Sequence, residues 1–208
     1  FLAGELTESV NAKRRWRIIG NPSVMAKRIA PNLDDPFFAT LRNQLDDRGN
    51  ELLDYLTKTG SLGLPLDLDS WNGYPAAREQ FYQVSKDAGA HDLLFLAGDS
   101  HSYWQNELYD DAGESMGVEL GSTGLTSPRS ILALGAEGIR RFDELNAANN
   151  PEVVWTDGRY RGFIRLEIDH DGAHADFVTV TNIESRNYDA QIVHSVNIES
   201  RDGTLRYV

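Results

Sequence analysis

One short apolar segment constrains the fold of this chain more than any other. Residues 93–97 form a continuous apolar run that ends at Gly98-Asp99. Such a run is typical of a strand that is buried on both faces of a sheet. A helix is predicted just before it, from Pro75, which suits a first helical position, to a stop at Gly89. A helix followed by a buried strand predicts a layered α/β protein.

The other helices are predicted from the spacing of apolar residues. The chain opens on a helix over residues 1–10 with no capping residue before it, so we expect it to continue a preceding segment. Two short helices are expected between residues 37 and 56, interrupted near Gly49-Asn50, and another helix over residues 136–147. In the helix that begins at Pro75, the apolar face is expected to comprise Ala77, Phe81, Val84 and Ala88.

Strands and loops complete this outline. Short strands are predicted at residues 16–19 and 115–121. Residues 60–74 are rich in Gly, Pro, Asp and Ser and predict a long loop, which is uncommon in compact domains and often functional. Beyond residue 162 the apolar residues alternate around a hairpin turn at His170-Asp171-Gly172, and this pattern predicts that the chain ends in antiparallel strands.

Composition excludes several classes of function. The 208 residues include 32 acidic and 20 basic side chains, for a net charge of −12. This charge disfavours binding to nucleic acid and to anionic membranes. The absence of cysteine excludes disulfides and thiolate ligands within these residues. No apolar stretch approaches the ~18 residues of a membrane span, and no glycine-rich nucleotide-binding motif is present.

Chemistry is predicted where the buried strand ends, at Asp99 and His101. Ligands bind at the carboxyl ends of the strands in open α/β sheets. On an extended chain these side chains would lie on one side, about 6–7 Å apart. A carboxylate and an imidazole at that spacing suit a pair of metal ions about 3.5–4 Å apart. The alternative is that Asp99 caps a turn and His101 is structural, and the spacing leaves both interpretations open.

A second candidate lies in the long loop, at Asp69, Trp71 and Tyr74. Exposed aromatic side chains beside a carboxylate can line the entrance of a substrate site, so these residues are candidates for the substrate side. In the alternative interpretation, the two aromatic residues fasten the loop to the following helix and Asp69 makes a hydrogen bond within a turn.

In their order along the chain, several segments together resemble the alkaline phosphatase D (PhoD-like) family of metallophosphoesterases. The resemblance covers nearly the whole chain and rests on Trp16-Arg17-Ile18-Ile19-Gly20-Asn21, Asp69-x-Trp71-x-Gly73-Tyr74-Pro75-x-x-Arg78, Leu96-x-Gly98-Asp99-x-His101-x-x-Trp104, Val118-Glu119, Ser127-Pro128, Asn150-Pro151 and Arg161-Gly162-Phe163. It implies metal-dependent hydrolysis of small phosphate esters, as an alkaline phosphatase or phosphodiesterase, by a protein exported to the periplasm or the extracellular space.

The resemblance also implies a site and an architecture. Gly98-Asp99-Ser100-His101 is similar to the family's Gly-Asp-x-His, which makes Asp99 and His101 metal ligands of a dinuclear centre of iron(III) and calcium. The implied fold is an α-β-β-α sandwich. Residues 1–208 would form the C-terminal part of one catalytic domain, whose N-terminal half, in the same or another chain, supplies the remaining ligands. Glu152 departs from the family, which often has His there. The competing interpretation is a phosphatase-like α/β module that binds partners without catalysis.

Overall fold

The computed structural model describes residues 1–127, 129 and 131–208. Its α-helices are α1 (Leu2–Asn11), α2 (Pro36–Leu41), α3 (Asp47–Ser61), α4 (Pro75–Asp87) and α5 (Gly135–Asn149). Its strands are β1 (Arg17–Gly20), β2 (Leu93–Ala97), β3 (Tyr103–Tyr109), β4 (Ser115–Gly121), β5 (Val153–Asp157), β6 (Gly162–Ile168), β7 (Gly172–Val180), β8 (Ala190–Arg201) and β9 (Thr204–Tyr207). None of the helices described here is long and apolar enough to cross a membrane.

The first sheet has five strands in the order β1-β2-β4-β3-β5. Strands β1, β2 and β4 are parallel, whereas β3 and β5 are antiparallel to their neighbours. Strand β2 is paired on both sides, which explains its continuous apolar sequence. On one face of this sheet, Leu93 and Phe95 of β2 pack against helices α1 and α4 through Leu6 and Tyr82.

The second sheet is antiparallel, with four strands in the order β6-β7-β8-β9. Its inner face, which includes Phe177 and Ile198, packs against Leu94 and Val118 on the other face of the first sheet. Helices, first sheet and second sheet therefore form successive layers. The predicted α/β sandwich that ends in antiparallel strands is confirmed.

Helices α2, α3 and α5 share a third apolar core, which includes Leu53 and Phe142. The prediction that the α2–α3 region breaks at Gly49-Asn50 was wrong. Helix α3 begins at Asp47 because the carboxylate of Asp46 accepts a hydrogen bond from the Gly49 N–H at 2.8 Å. The capping residue fixes the start of the helix, and the glycine is accommodated within its first turn.

Helix α4 begins at Pro75, as predicted. Its buried positions are Arg78, Tyr82 and Ser85, whereas Ala77, on the predicted apolar face, is exposed. The prediction was therefore wrong for Ala77, whereas Phe81, Val84 and Ala88 are half-buried, and the most buried positions of the helix lie one residue further along. The physical reason is that Arg78 is paired with a buried carboxylate, which allows a charged side chain to occupy the interior.

Strands β3 and β5 were not predicted from the sequence. Strand β3 carries buried polar residues: the Asn106 side chain donates to Glu119 at 2.8 Å, and Gln105 bonds the His194 ring at 2.7 Å. Polar side chains that form hydrogen bonds inside the protein remove the alternation of apolar and polar residues on which strand prediction depends.

Candidate active site at the carboxyl edge of the first sheet

The carboxyl ends of the three parallel strands meet at one edge of the first sheet. The Asn21 N–H, just after β1, donates to the Leu96 carbonyl at 2.9 Å, and the Ser122 N–H, just after β4, donates to the Ala97 carbonyl at 2.8 Å. These bonds fix the strand ends side by side, with Asp99 directly beyond them. This is the edge at which open α/β sheets bind ligands.

A tight turn of non-glycine residues follows β2. Asp99 and His101 have φ angles of 65° and 55°, and the Ser100 N–H donates to the Gly98 carbonyl at 2.7 Å. The expectation of an extended chain here was wrong, because the chain reverses direction between β2 and the antiparallel β3. Positive φ angles are uncommon in residues other than glycine, although Asp and His adopt them more often than most, and they cluster at functional sites.

Trp104 connects this turn to two arginines. Its indole N–H donates to Ser100 Oγ at 2.5 Å, and its side chain is almost completely buried. The guanidinium carbons of Arg28 and Arg129 lie 4.7 Å and 6.0 Å from the centroid of its ring. The indole therefore holds the turn after β2 by hydrogen bonding and contacts both cations by cation–π interaction.

The two arginines differ in their partners. Arg28 donates to Ser70 Oγ at 3.2 Å and lies 3.7 Å from Asp67. Burial lowers the pKa of Arg28 to about 10, and nearby carboxylates oppose this shift. Because this pKa is well above 7, the side chain stays charged at neutral pH. Arg129 forms an ion pair with Asp143 at 2.5 Å. Burial raises the pKa of the Asp143 carboxyl, and Arg129 partly offsets that effect.

These residues border a cleft of about 440 Å³ with two kinds of wall. The polar wall comprises Arg28, Asp67, Asp99, Ser100, His101, Trp104 and Arg129. The opposite wall is mostly apolar and comprises Leu52, Tyr55, Leu56, Leu66, Ile131 and Phe142. A cleft with one polar and one apolar wall can bind an ester with both an anionic and an organic part.

The structure brings Asp99 and His101 together in this cleft. The Asp99 carboxylate is exposed and makes no hydrogen bond to any residue that the structure describes, so it is available to a cation. A carboxylate oxygen and an imidazole nitrogen are a donor set that iron and similar ions accept. Within the described part of the chain, no three His, Asp or Glu side chains are grouped closely enough to hold a metal ion.

The substrate-side candidates lie elsewhere. The cleft lining, as far as the structure describes it, includes none of Asp69, Trp71 and Tyr74. Asp69 and Tyr74 are exposed, whereas Trp71 is half-buried and donates to Asn21 Oδ1 at 3.2 Å. Trp71 also lines a neighbouring, largely apolar pocket of about 630 Å³. A role for these three residues in substrate binding stays a prediction.

Buried carboxylates hold the irregular loop of residues 24–29, here named the Arg28 loop. Glu119 accepts hydrogen bonds from the N–H groups of Met25 and Ala26, at 2.6 Å and 3.2 Å, and Glu152 accepts from that of Lys27 at 2.8 Å. Burial raises the pKa of the Glu119 carboxyl, and its hydrogen bonds oppose that shift. A buried loop needs partners of this kind for its backbone polar groups.

Two asparagines complete the support of the Arg28 loop. Asn72 bonds both the N–H and the C=O of Arg28, at 3.0 Å and 3.1 Å, and Asn150 does the same for Ile29, at 2.7 Å and 3.0 Å. The supporting residues belong to or directly adjoin the segments that carry the family resemblance. Those segments therefore fix the backbone that delivers Arg28 to the cleft.

Sequence reasoning missed Arg28, Asp67 and Arg129 as cleft residues. Each lies in a loop, where a charged side chain is usually solvated, and no spacing links them. Of the resemblance segment Ser127-Pro128, Ser127 is exposed and Pro128 lies outside the described residues. The unusual Glu152 has a structural role, because it pairs with Arg78.

Comparisons with known proteins agree with this fold and with the predicted family. The model of the PhoD-like phosphatase family matches residues 1–177, so the chain belongs to that family. Alkaline phosphatase D of Bacillus subtilis (strain 168) is 29% identical over 114 residues, which are 53% of this chain and 18% of that protein. The family resemblance inferred from the sequence is confirmed.

A solved structure, described as the structure of PhoD, extends the comparison to the whole chain. It matches 99% of this chain and 34% of its own length, with a TM-score of 0.65 and 18% identity. At this identity the likeness shows the fold. The chain spans 18% of the curated relative and 34% of the solved structure.

Proposed function

We propose that this chain carries part of the active site of a metal-dependent hydrolase of phosphate esters, with Asp99 and His101 as metal ligands. The observation that carries the proposal is their joint position in one cleft at the carboxyl edge of the first sheet. Membership of the PhoD-like phosphatase family supports phosphate esters as the substrate class.

The metal centre is proposed from the family resemblance and from the donor types. It would be dinuclear and contain iron(III) and calcium, and Asp99 and His101 would be two ligands of a larger set. We propose that the N-terminal half of the same enzyme supplies the others. When bound, such ions stabilise charge on a phosphoryl group and lower the pKa of water. Export to the periplasm or the extracellular space is proposed on the resemblance alone.

The residues of the chain itself prepare the site. The turn after β2 presents the Asp99 carboxylate to solvent, and the bond between Trp104 and Ser100 fixes the conformation of that turn. The apolar wall of the cleft limits water around the ester and favours an organic leaving group, which suits both monoesters and diesters.

The test replaces each ligand in the complete enzyme. We expect Asp99→Ala and His101→Ala to lower the content of bound metal and to reduce hydrolysis of p-nitrophenyl phosphate and its bis-ester at least ~100-fold, since metal ions supply several kcal/mol of transition-state stabilisation. The readouts are metal analysis by mass spectrometry and release of p-nitrophenol. Residues 1–208 alone should hydrolyse little, because two ligands do not hold two ions.

Asp171→Ala and His170→Ala provide matched controls. Both residues are exposed in the hairpin between β6 and β7, outside the described lining of the cleft. These controls should keep full metal content and activity. Unchanged metal stoichiometry in both Asp99→Ala and His101→Ala would overturn the assignment, and turnover by the pure 208-residue chain would contradict the need for a second half.

A further inference from the structure

Two buried arginines in the cleft have no part in holding the proposed metal ions. The side chains of Arg28 and Arg129 are 2% and 7% exposed, and both border the cleft. Arginine is rarely this buried unless it is paired. Each has a carboxylate partner, Asp67 for Arg28 and Asp143 for Arg129.

The carboxylate partner of Arg28 leaves some of its hydrogen-bonding capacity unused. A guanidinium carries five N–H donors. Arg28 directs Nη2 towards Ser70 and Asp67, but its buried Nε has no hydrogen-bond partner in the part of the chain that the structure describes. The separation of 3.7 Å from Asp67 is also long for a hydrogen bond. One N–H donor of Arg28 is therefore unpaired among the described residues, although the carboxylates of Glu119, Asp67 and Asp99 all act on its charge.

Trp104 contacts both cations. The guanidinium carbons of Arg28 and Arg129 lie 4.7 Å and 6.0 Å from the centroid of its ring. The positive charge of Arg129 lowers the pKa of Arg28. Contact with an aromatic ring uses the face of a guanidinium and leaves its N–H edge available. Two neighbouring like charges at the border of a cleft favour the binding of an anion between them.

We propose that Arg28 and Arg129 form an anion-binding site that holds the non-bridging oxygens of the substrate's phosphoryl group. This inference rests on the proposed function, because it takes the substrate to be a phosphate ester. The edge of a guanidinium carries two parallel N–H donors, whose spacing matches a pair of phosphate oxygens. The arginines would hold the oxygens that face away from Asp99 and His101, and would stabilise the charge that develops in the reaction.

Binding of inorganic phosphate to the complete protein tests the proposal. Isothermal titration calorimetry is performed on chelator-treated protein, so that the arginines are measured without metal. We expect Arg28→Gln and Arg129→Gln each to weaken binding about 10- to 100-fold, the range for a lost hydrogen bond to a charged group. Their metal content after reloading should equal that of the wild type. Arg165→Gln, which removes an arginine paired with Asp176 in the second sheet, is the matched control and should not change binding.

Three outcomes would overturn the proposal. They are unchanged phosphate affinity in both folded glutamine variants, an equal loss in the Arg165 control, and no binding by the chelated wild type up to ~10 mM phosphate. If a glutamine variant does not fold, Arg28→Lys and Arg129→Lys decide the matter. These retain the charge but lose the planar edge, so affinity should fall about 3- to 10-fold, and unchanged affinity would refute the proposal.

The same measurements separate this inference from the proposed function. Chelated Asp99→Ala protein should still bind phosphate through the arginines. One outcome is that phosphate binding needs Arg28 and Arg129 while Asp99→Ala and His101→Ala keep normal metal content. This outcome would refute the metal-ligand assignment and support the anion site. The opposite outcome is loss of metal in the ligand variants with unchanged phosphate binding in the arginine variants. It would support the metal-ligand assignment and refute the anion site.

Discussion

Removal of the Arg78 side-chain charge is expected to be the most destabilising single change near the Arg28 loop. Arg78 Nη2 donates to both carboxylate oxygens of Glu152, at 2.9 Å and 2.7 Å, and its Nε donates to the Met25 carbonyl at 2.9 Å. The two side chains are 1% and 8% exposed. In Arg78→Met, the Glu152 carboxylate would keep the Lys27 N–H as its remaining hydrogen-bond donor.

The magnitude follows from the burial of this pair. Loss of one partner from a buried ion pair costs about 3–5 kcal/mol, because the other charge stays buried and uncompensated. We therefore expect Arg78→Met to lower the free energy of unfolding by about 3–5 kcal/mol, out of the ~5–15 kcal/mol typical of a folded protein. The double variant Arg78→Met/Glu152→Met should lose less than the single variant, since no unpaired charge remains.

The loss should depend on pH in a defined direction. Burial raises the pKa of the Glu152 carboxyl above its ordinary value of 4.5, and Arg78 opposes that shift. Without Arg78 the pKa of Glu152 in the folded state rises further, so folding then favours the protonated acid. A raised pKa of this kind stabilises at low pH and destabilises as pH rises. The loss in the free energy of unfolding caused by Arg78→Met should therefore be smallest near pH 4.5 and grow towards neutral pH.

Urea unfolding followed by circular dichroism at pH 5 and pH 8 provides the measurement. Arg140→Met, which removes an arginine from an exposed ion pair on α5, is the control and should have little effect at either pH. A loss below about 1 kcal/mol in Arg78→Met, or a loss that does not grow with pH, would refute the reasoning from burial.

Two further predictions concern the sheets. Gly117 has a φ of 136°, and a Cβ there would lie 1.9 Å from the Leu93 carbonyl oxygen, so Gly117→Ala should lower the free energy of unfolding in urea by about 3 kcal/mol or more. The control is Gly63→Ala, at a φ of 62° in open space, which should cost only about 1–2 kcal/mol. Equal losses in the two variants would contradict the packing argument. Hydrogen bonds, foremost from the Ser195 hydroxyl, lower the pKa of Asp176 from 3.8 to about 2, so its carboxylate stabilises the fold above pH 3.8 and this stabilisation is lost as pH falls towards 2. The melting temperature of Asp176→Asn should therefore change less between these pH values than that of the wild type, and identical pH profiles would exclude the assignment.

The sequence by itself determined the features that depend on neighbouring residues. The apolar run of β2, the start of α4 at Pro75 and the alternation in the last strands are all local patterns, and each was confirmed. The order of several short segments along nearly the whole chain was enough to predict the family, which the comparisons then confirmed. The role of Asp99 and His101 as metal ligands stays a prediction.

Only the tertiary structure decided which polar residues are inside and which residues share the cleft. The partner of Arg78 is 74 residues away, so the α4 sequence alone could not show that this arginine faces inward. Arg28 and Arg129 come from separate loops, yet both contact Trp104 and line the same cleft. Helical and strand periodicity report contacts within one element, whereas burial of a charge depends on partners far along the chain.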